Sequence, residues 1–204
     1  MAMNPCRCLG VTIAFAGAGV LLALTPNARA EMPALTPELE RLRDALDKYQ
    51  DPYVAVRDGY FSTVGCVQYP DAGGDGKVPY KSGGMGVHFL NLQLIGPEPD
   101  PMRPPILVYE PDGEKLRLVA VEWFVPLATG VKERPTVYGQ AFDGPMEGHE
   151  PLLPKDLHHY DLHAWLWKEN PYGVFSPTNP NLNCDGYGFS LVEHAPHIVP
   201  HPGQ

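Results

Sequence analysis

The sequence predicts an α+β domain, with an N-terminal helix laid on a mainly antiparallel sheet that curls into a β-barrel or sandwich. Three observations predict it. Gly 21 and Pro 24 make 45 of 204 residues, well above the roughly one-eighth of average usage, which excludes a helical bundle or coiled coil. Only one segment spaces its apolar residues as a helix does. Several short apolar runs instead end in glycine, proline or aspartate turns, as strands joined by hairpins do. The length suits one domain rather than two.

Residues 1–30 read as a targeting segment. Arg7 precedes an apolar stretch from Leu9 to Leu24, followed by Thr25-Pro26 and Ala28-Arg29-Ala30. This is the layout of a signal peptide with an A-x-A cleavage site, so the mature chain is expected to begin at Glu31 and to be periplasmic or secreted. The apolar stretch is short for a bilayer, and no membrane span is expected in the mature protein. Removing Arg7 and Arg29 leaves 13 basic against 24 acidic residues, a net charge of -11. Nucleic-acid binding needs a basic footprint, so it is excluded as a function class. The same cut removes Cys6 and Cys8, leaving Cys66 and Cys184. In an exported chain these read as one disulfide, with a pair of free buried thiols as the other reading.

The single globular domain is expected over residues 31–192. Thr36 can cap a helix, Pro37 suits its first position, and Glu38 and Glu40 suit its positive end. Leu35, Leu39, Leu42, Leu46 and Tyr49 then form one stripe. Asp51-Pro52 restarts a short helix through Val56. Strands are predicted over 64–69, 87–94, 106–110, 115–125 and 160–167, with a short one over 136–138. The segment 96–105 carries five prolines and reads as loop. Residues 170–183 read as an irregular excursion, and 193–204 as a flexible tail.

Side chains alternate along a strand. Tyr160, Leu162, Ala164 and Leu166 therefore share one face, and His159, Asp161, His163, Trp165 and Trp167 share the other. Residues four apart on a straight strand lie about 13 Å apart, so His159 and His163 are rivals for one metal, whereas Asp161 and His163 can share one. His88 follows Gly84-Met85-Gly86-Val87 on another strand. Glu122 interrupts the apolar run Val119-Ala120-Val121-Glu122-Trp123-Phe124-Val125. A carboxylate there is either exposed or buried with a partner, and Ala120 and Phe124 on its face favour burial.

His88, Glu122 and His163 are thus expected to converge on one divalent transition metal inside the sheet, with His149, His159 or Asp161 as candidates for a further ligand. Metal identity, reaction and substrate stay open. Whether the protein is an enzyme stays open too. The competing reading is a hydrogen-bonded polar core, because no H-x-H or H-E-x-x-H spacing is present. A second function class is a non-catalytic module that binds a sugar or apolar ligand on an aromatic surface of Trp123, Trp165 and Trp167. Trp165 and Trp167 are then its ligand-binding residues. A purely structural envelope protein is the third. The glycine-rich turn at 73–76 lacks a phosphate loop's Lys-Ser/Thr ending, and no G-x-S-x-G is present.

The motifs Gly84-Met85-Gly86-Val87-His88-Phe89, Val119 to Pro126 and Tyr160 to Pro171 make the chain resemble an uncharacterised family of exported microbial proteins over residues 37–184. The resemblance implies export and brings no activity. Among known architectures the expected barrel is similar to that of the cupins.

Overall fold

The computed structural model describes residues 34–201. The expected signal segment, with Cys6 and Cys8, lies outside the described residues. The Thr36 hydroxyl accepts a hydrogen bond from the Leu39 amide and starts helix α1 (Pro37–Leu46), with Pro37 in its first turn and Glu38 and Glu40 at its positive end. A 3-10 turn, Asp47–Gln50, extends it to 14 helical residues. Leu39, Leu42, Leu46 and Tyr49 are all buried, so the predicted stripe is the packing face. Asp51 caps the short helix α2 (Pro52–Arg57) by accepting from the Tyr53 amide.

The strands are β1 (Phe61–Tyr69), β2 (Gly83–Leu90), β3 (Ile106–Asp112), β4 (Lys115–Pro126), β5 (Thr136–Val137), β6 (Gln140–Ala141), β7 (Asp143–Met146), β8 (His159–Trp165) and β9 (Ser190–Val192). Seven form one curled sheet in the order β7-β8-β4-β3-β2-β1-β9, while β5 and β6 pair separately. Every pairing in the large sheet is antiparallel except β1 with β9, which is parallel. The α+β class is therefore as the sequence predicts. The barrel is not closed: β7 and β9 are the terminal strands of the sheet and do not pair with each other, so it is a half-barrel.

One face of the sheet takes the helix. The Tyr109 hydroxyl donates to the Tyr49 carbonyl at 2.7 Å, and the Gln50 amide donates to the Leu118 carbonyl. Burying each large apolar side chain there contributes about 1.5–3 kcal/mol. The other face is concave and is covered by loops, so all seven residues of β8 are buried. A strand buried on both faces loses the polar-out alternation of an exposed sheet, and its polar residues must find partners inside.

Cys66 and Cys184 are joined, with their Cα atoms 5.8 Å apart and their positions 118 apart in sequence. The bond ties β1 to the end of the 170–183 excursion. Chain β1 is bulged beside it. Ser62 pairs with Phe89 and Cys66 with Val87, so Thr63, Val64 and Gly65 together face His88. Val64 adopts a φ of 68°, a left-handed backbone unusual for a β-branched residue. The Thr63 hydroxyl donates to the His88 carbonyl at 3.1 Å. On the other side of His88, Gly86 has a φ of 92°, and a Cβ there would stand 2.5 Å from the Tyr109 carbonyl oxygen. Only glycine allows β3 to approach this closely.

Three expectations are corrected. Strand β2 begins at Gly83 rather than Val87, because the glycines still pair with β1. Residues 193–201 are no free tail: Lys77 bridges His197, Met146 bridges Ile198, and Glu193 and Ala195 are buried. The indoles of Trp123 and Trp165 form no surface platform. Both are buried, donating to the Asp100 and Ser176 carbonyls, and Trp167 donates to Asp47.

Candidate metal centre

Glu122 on β4 pairs directly with His163 on β8, and both point into the concave face. His88 stands on β2, two strands away across β3. On a flat sheet that offset is close to 10 Å. The curl closes it, and His88 Nε2 lies 3.3 Å from Glu122 Oε2 while His163 Nε2 lies 3.5 Å from the same oxygen. One ligand atom from each residue falls within 4.8 Å of the others. The structure thus brings together the three side chains that the sequence singled out. All three are buried, and His88 Nδ1, Glu122 Oε2 and both nitrogens of His163 have no hydrogen-bond partner.

The further candidates do not join this group. His149, His159 and Asp161 form a second one, again with ligand atoms within 4.8 Å of one another. His159 and Asp161 are two apart on β8 and share its concave face. His149 comes from the loop between β7 and β8. Gly148 beside it packs so tightly that a Cβ would collide with the Pro154 carbonyl oxygen, and the His149 carbonyl accepts from the Leu153 amide at 2.8 Å. Asp161, expected as a partner for His163, groups with His159 instead, because the side-chain heads of β8 diverge to different neighbours. His159 and His163 are rivals, as their spacing requires, and each serves its own group.

Residues that sequence reasoning passed over surround the second group. The Tyr69 hydroxyl at the end of β1 donates to Glu193 Oε2 at 2.7 Å and lies 2.9 Å from His149 Nδ1. The Tyr80 hydroxyl reaches Asp161 Oδ2 at 3.1 Å and Met146 Sδ at 3.3 Å. His159 Nδ1 lies 3.1 Å from the Leu157 carbonyl oxygen. The only sequence signal for Glu193 was a lone acid in a segment read as tail. Its partner Tyr69 is 124 residues away, brought near by the parallel β1–β9 pairing.

Burial and charge act on these groups in opposite directions. Burial alone would strip His88 of its proton, but the Glu122 carboxylate 3.3 Å away outweighs it and raises its pKa above the usual imidazole value. Burial, with His159 beside it, lowers His149 to about 3. Burial raises Asp161, but His159 and His163 overcome it and hold the carboxyl below its usual value. Glu193 is pushed up to about 7 by burial, against the Tyr69 hydrogen bond. Asp143 reaches about 7 through burial and the charge of Asp161, which faces it in register.

Both groups and Glu193 line one cavity of about 180 Å³. Its remaining wall is mainly apolar, including Phe61, Leu90, Ile106, Phe124 and Leu153. Each group offers two imidazoles and one carboxylate, a mixed nitrogen and oxygen set of the kind that holds a first-row divalent ion. Either group is able to hold one. Among the described residues no helix is long and apolar enough to cross a membrane. The chain matches no family model, no curated protein and no solved structure.

Proposed function

We propose that the protein binds a divalent transition metal through His88, Glu122 and His163 and that it is exported. The observation carrying this reading is the convergence of three buried side chains from three strands, with ligand atoms within 4.8 Å and four of their polar atoms lacking a hydrogen-bond partner. Unpartnered buried polar atoms are costly, and a cation satisfies them together. The disulfide supports an oxidising compartment, as do the leader-like residues 1–30. Three protein ligands leave coordination positions open toward the cavity, the arrangement of a metal centre that works on a bound molecule. A cavity of about 180 Å³ with apolar walls suits a molecule of roughly benzene's size. The reading is therefore a metal-dependent protein, with water activation on the metal as the chemistry such a centre supplies.

The alternative is a binding module without catalysis. The observation favouring it is the same apolar cavity, which takes the place of the expected tryptophan surface. Elemental analysis of the purified mature protein tests the main reading. Stoichiometric zinc, copper, manganese, iron, cobalt or nickel is expected, and His163→Ala should lose one equivalent. Unchanged metal content in that variant would overturn it, and an apolar ligand bound by fully stripped protein would then favour the module.

A further inference from the structure

We infer that His149, His159 and Asp161 form a second, separate divalent-cation site, whose imidazoles are already set by hydrogen bonds to present bare Nε2 atoms. The argument is a count of protons. The Tyr69 hydroxyl has one proton and gives it to Glu193 Oε2 at 2.7 Å. Its 2.9 Å contact with His149 Nδ1 must then be donated by the imidazole, so Nδ1 carries the hydrogen and Nε2 the lone pair. A carbonyl oxygen only accepts, so the 3.1 Å contact between His159 Nδ1 and Leu157 places the hydrogen of His159 on Nδ1 as well. In the neutral ring that a metal requires, its Nε2 is a second lone pair, buried and without a hydrogen-bond partner. It faces Asp161 Oδ2 at 3.8 Å.

Two lone pairs and a carboxylate therefore converge where, among the described residues, the one hydrogen-bond donor is the Tyr80 hydroxyl on Asp161 Oδ2. Asp161 Oδ1 has no partner either. Acceptors grouped without donors repel one another, and a cation turns that repulsion into coordination. The chains Glu193–Tyr69–His149 and Leu157–His159 are the outer hydrogen bonds that fix ligating imidazoles in metal sites. The donor set selects the ion. Two imidazoles with one carboxylate favour the copper and zinc end of the first row over calcium or magnesium, which take oxygen ligands. The Met146 thioether, 3.3 Å from His149 Nε2, strengthens that preference. This site stands independently of the one formed by His88, Glu122 and His163.

The test uses the mature, chelator-stripped protein titrated with Zn²⁺ alone, read by calorimetry and by elemental analysis after desalting. Wild type should take two ions per chain, and Asp161→Asn should take one. Asparagine keeps an acceptor for Tyr80 and offers an amide donor to His159, so the variant is expected to fold, with circular dichroism as the check. Tyr69→Phe keeps the ring but removes the hydroxyl. It should weaken one of the two ions about tenfold or more and leave the other unchanged, which a merely structural role would not do. Ca²⁺ should displace neither ion. Two ions retained by Asp161→Asn at wild-type affinity would overturn the inference. So would a single wild-type ion that His163→Ala abolishes and Tyr69→Phe leaves untouched. A single ion lost in Asp161→Asn but kept in His163→Ala would instead uphold this site and overturn the proposal for His88, Glu122 and His163.

Discussion

The two histidine–carboxylate groups share one cavity and nearly the same composition, yet they are organised by different means. In the first, Glu122 lies between two imidazoles and draws a proton onto His88, so the group can neutralise itself without a metal. Neither ring is oriented by an outer hydrogen bond through Nδ1. In the second, each imidazole is held through Nδ1, and His149 is kept neutral. Ligand identity therefore does not decide how ready a site is. The difference lies in whether the next shell of residues has already chosen the tautomer, since a ring that must rotate or lose a proton binds more weakly.

The largest expected effect tests what both groups share. Reducing the Cys66–Cys184 bond should cost about 2–5 kcal/mol and lower the thermal midpoint by roughly 5–15 °C, read by calorimetry of stripped protein with and without reductant. An unchanged midpoint would mean that the half-barrel is held by packing alone.

Next comes Glu122→Gln, which removes the charge that joins the first group while keeping its shape. It should weaken the first site about a hundredfold or more and leave the second within a factor of about two, by Zn²⁺ competition against a chelating dye. Equal losses at both sites would erase the distinction drawn here. Glu193→Gln should do the reverse on a smaller scale. Through the altered hold on Tyr69 and His149, it should weaken the second site roughly tenfold and spare the first.

The smallest effect is in pH. Glu122, with Glu193 and Asp161 adding to the pull, raises the proton affinity of His88, and a metal competes with that proton, so first-site affinity rises with pH. His149, facing His159, Asp161, His163 and His88, titrates near 3 and has no proton to lose at neutral pH. The ratio of second-site to first-site affinity should therefore grow as pH falls, by roughly three- to tenfold per unit. Titrations at two pH values read it directly, and a ratio that falls would contradict the assigned charges.

Local chemistry made much of the molecule legible in the sequence. Thr36, Pro37 and the leucine stripe specify α1, the Asp112-Gly113 turn specifies the β3–β4 hairpin, and alternation places Glu122 among inward residues. The same alternation puts His159, Asp161 and His163 on one face of β8. Period and capping depend on neighbours a few residues away, so a sequence displays them. Strands of three or four residues, such as β7 and β9, are too short to show a period and were missed. Only tertiary structure decided the rest. The curl of the sheet, with the β1 bulge over His88, brings the His88 side chain of β2 to within 3.3 Å of the Glu122 side chain of β4 across an intervening strand. The parallel pairing of β9 with β1 carries Glu193 to Tyr69, and so sets the ring of His149. Whether the sheet closes, and which histidine meets which carboxylate, depend on the summed twist and packing of the whole sheet. No short stretch of sequence encodes that sum.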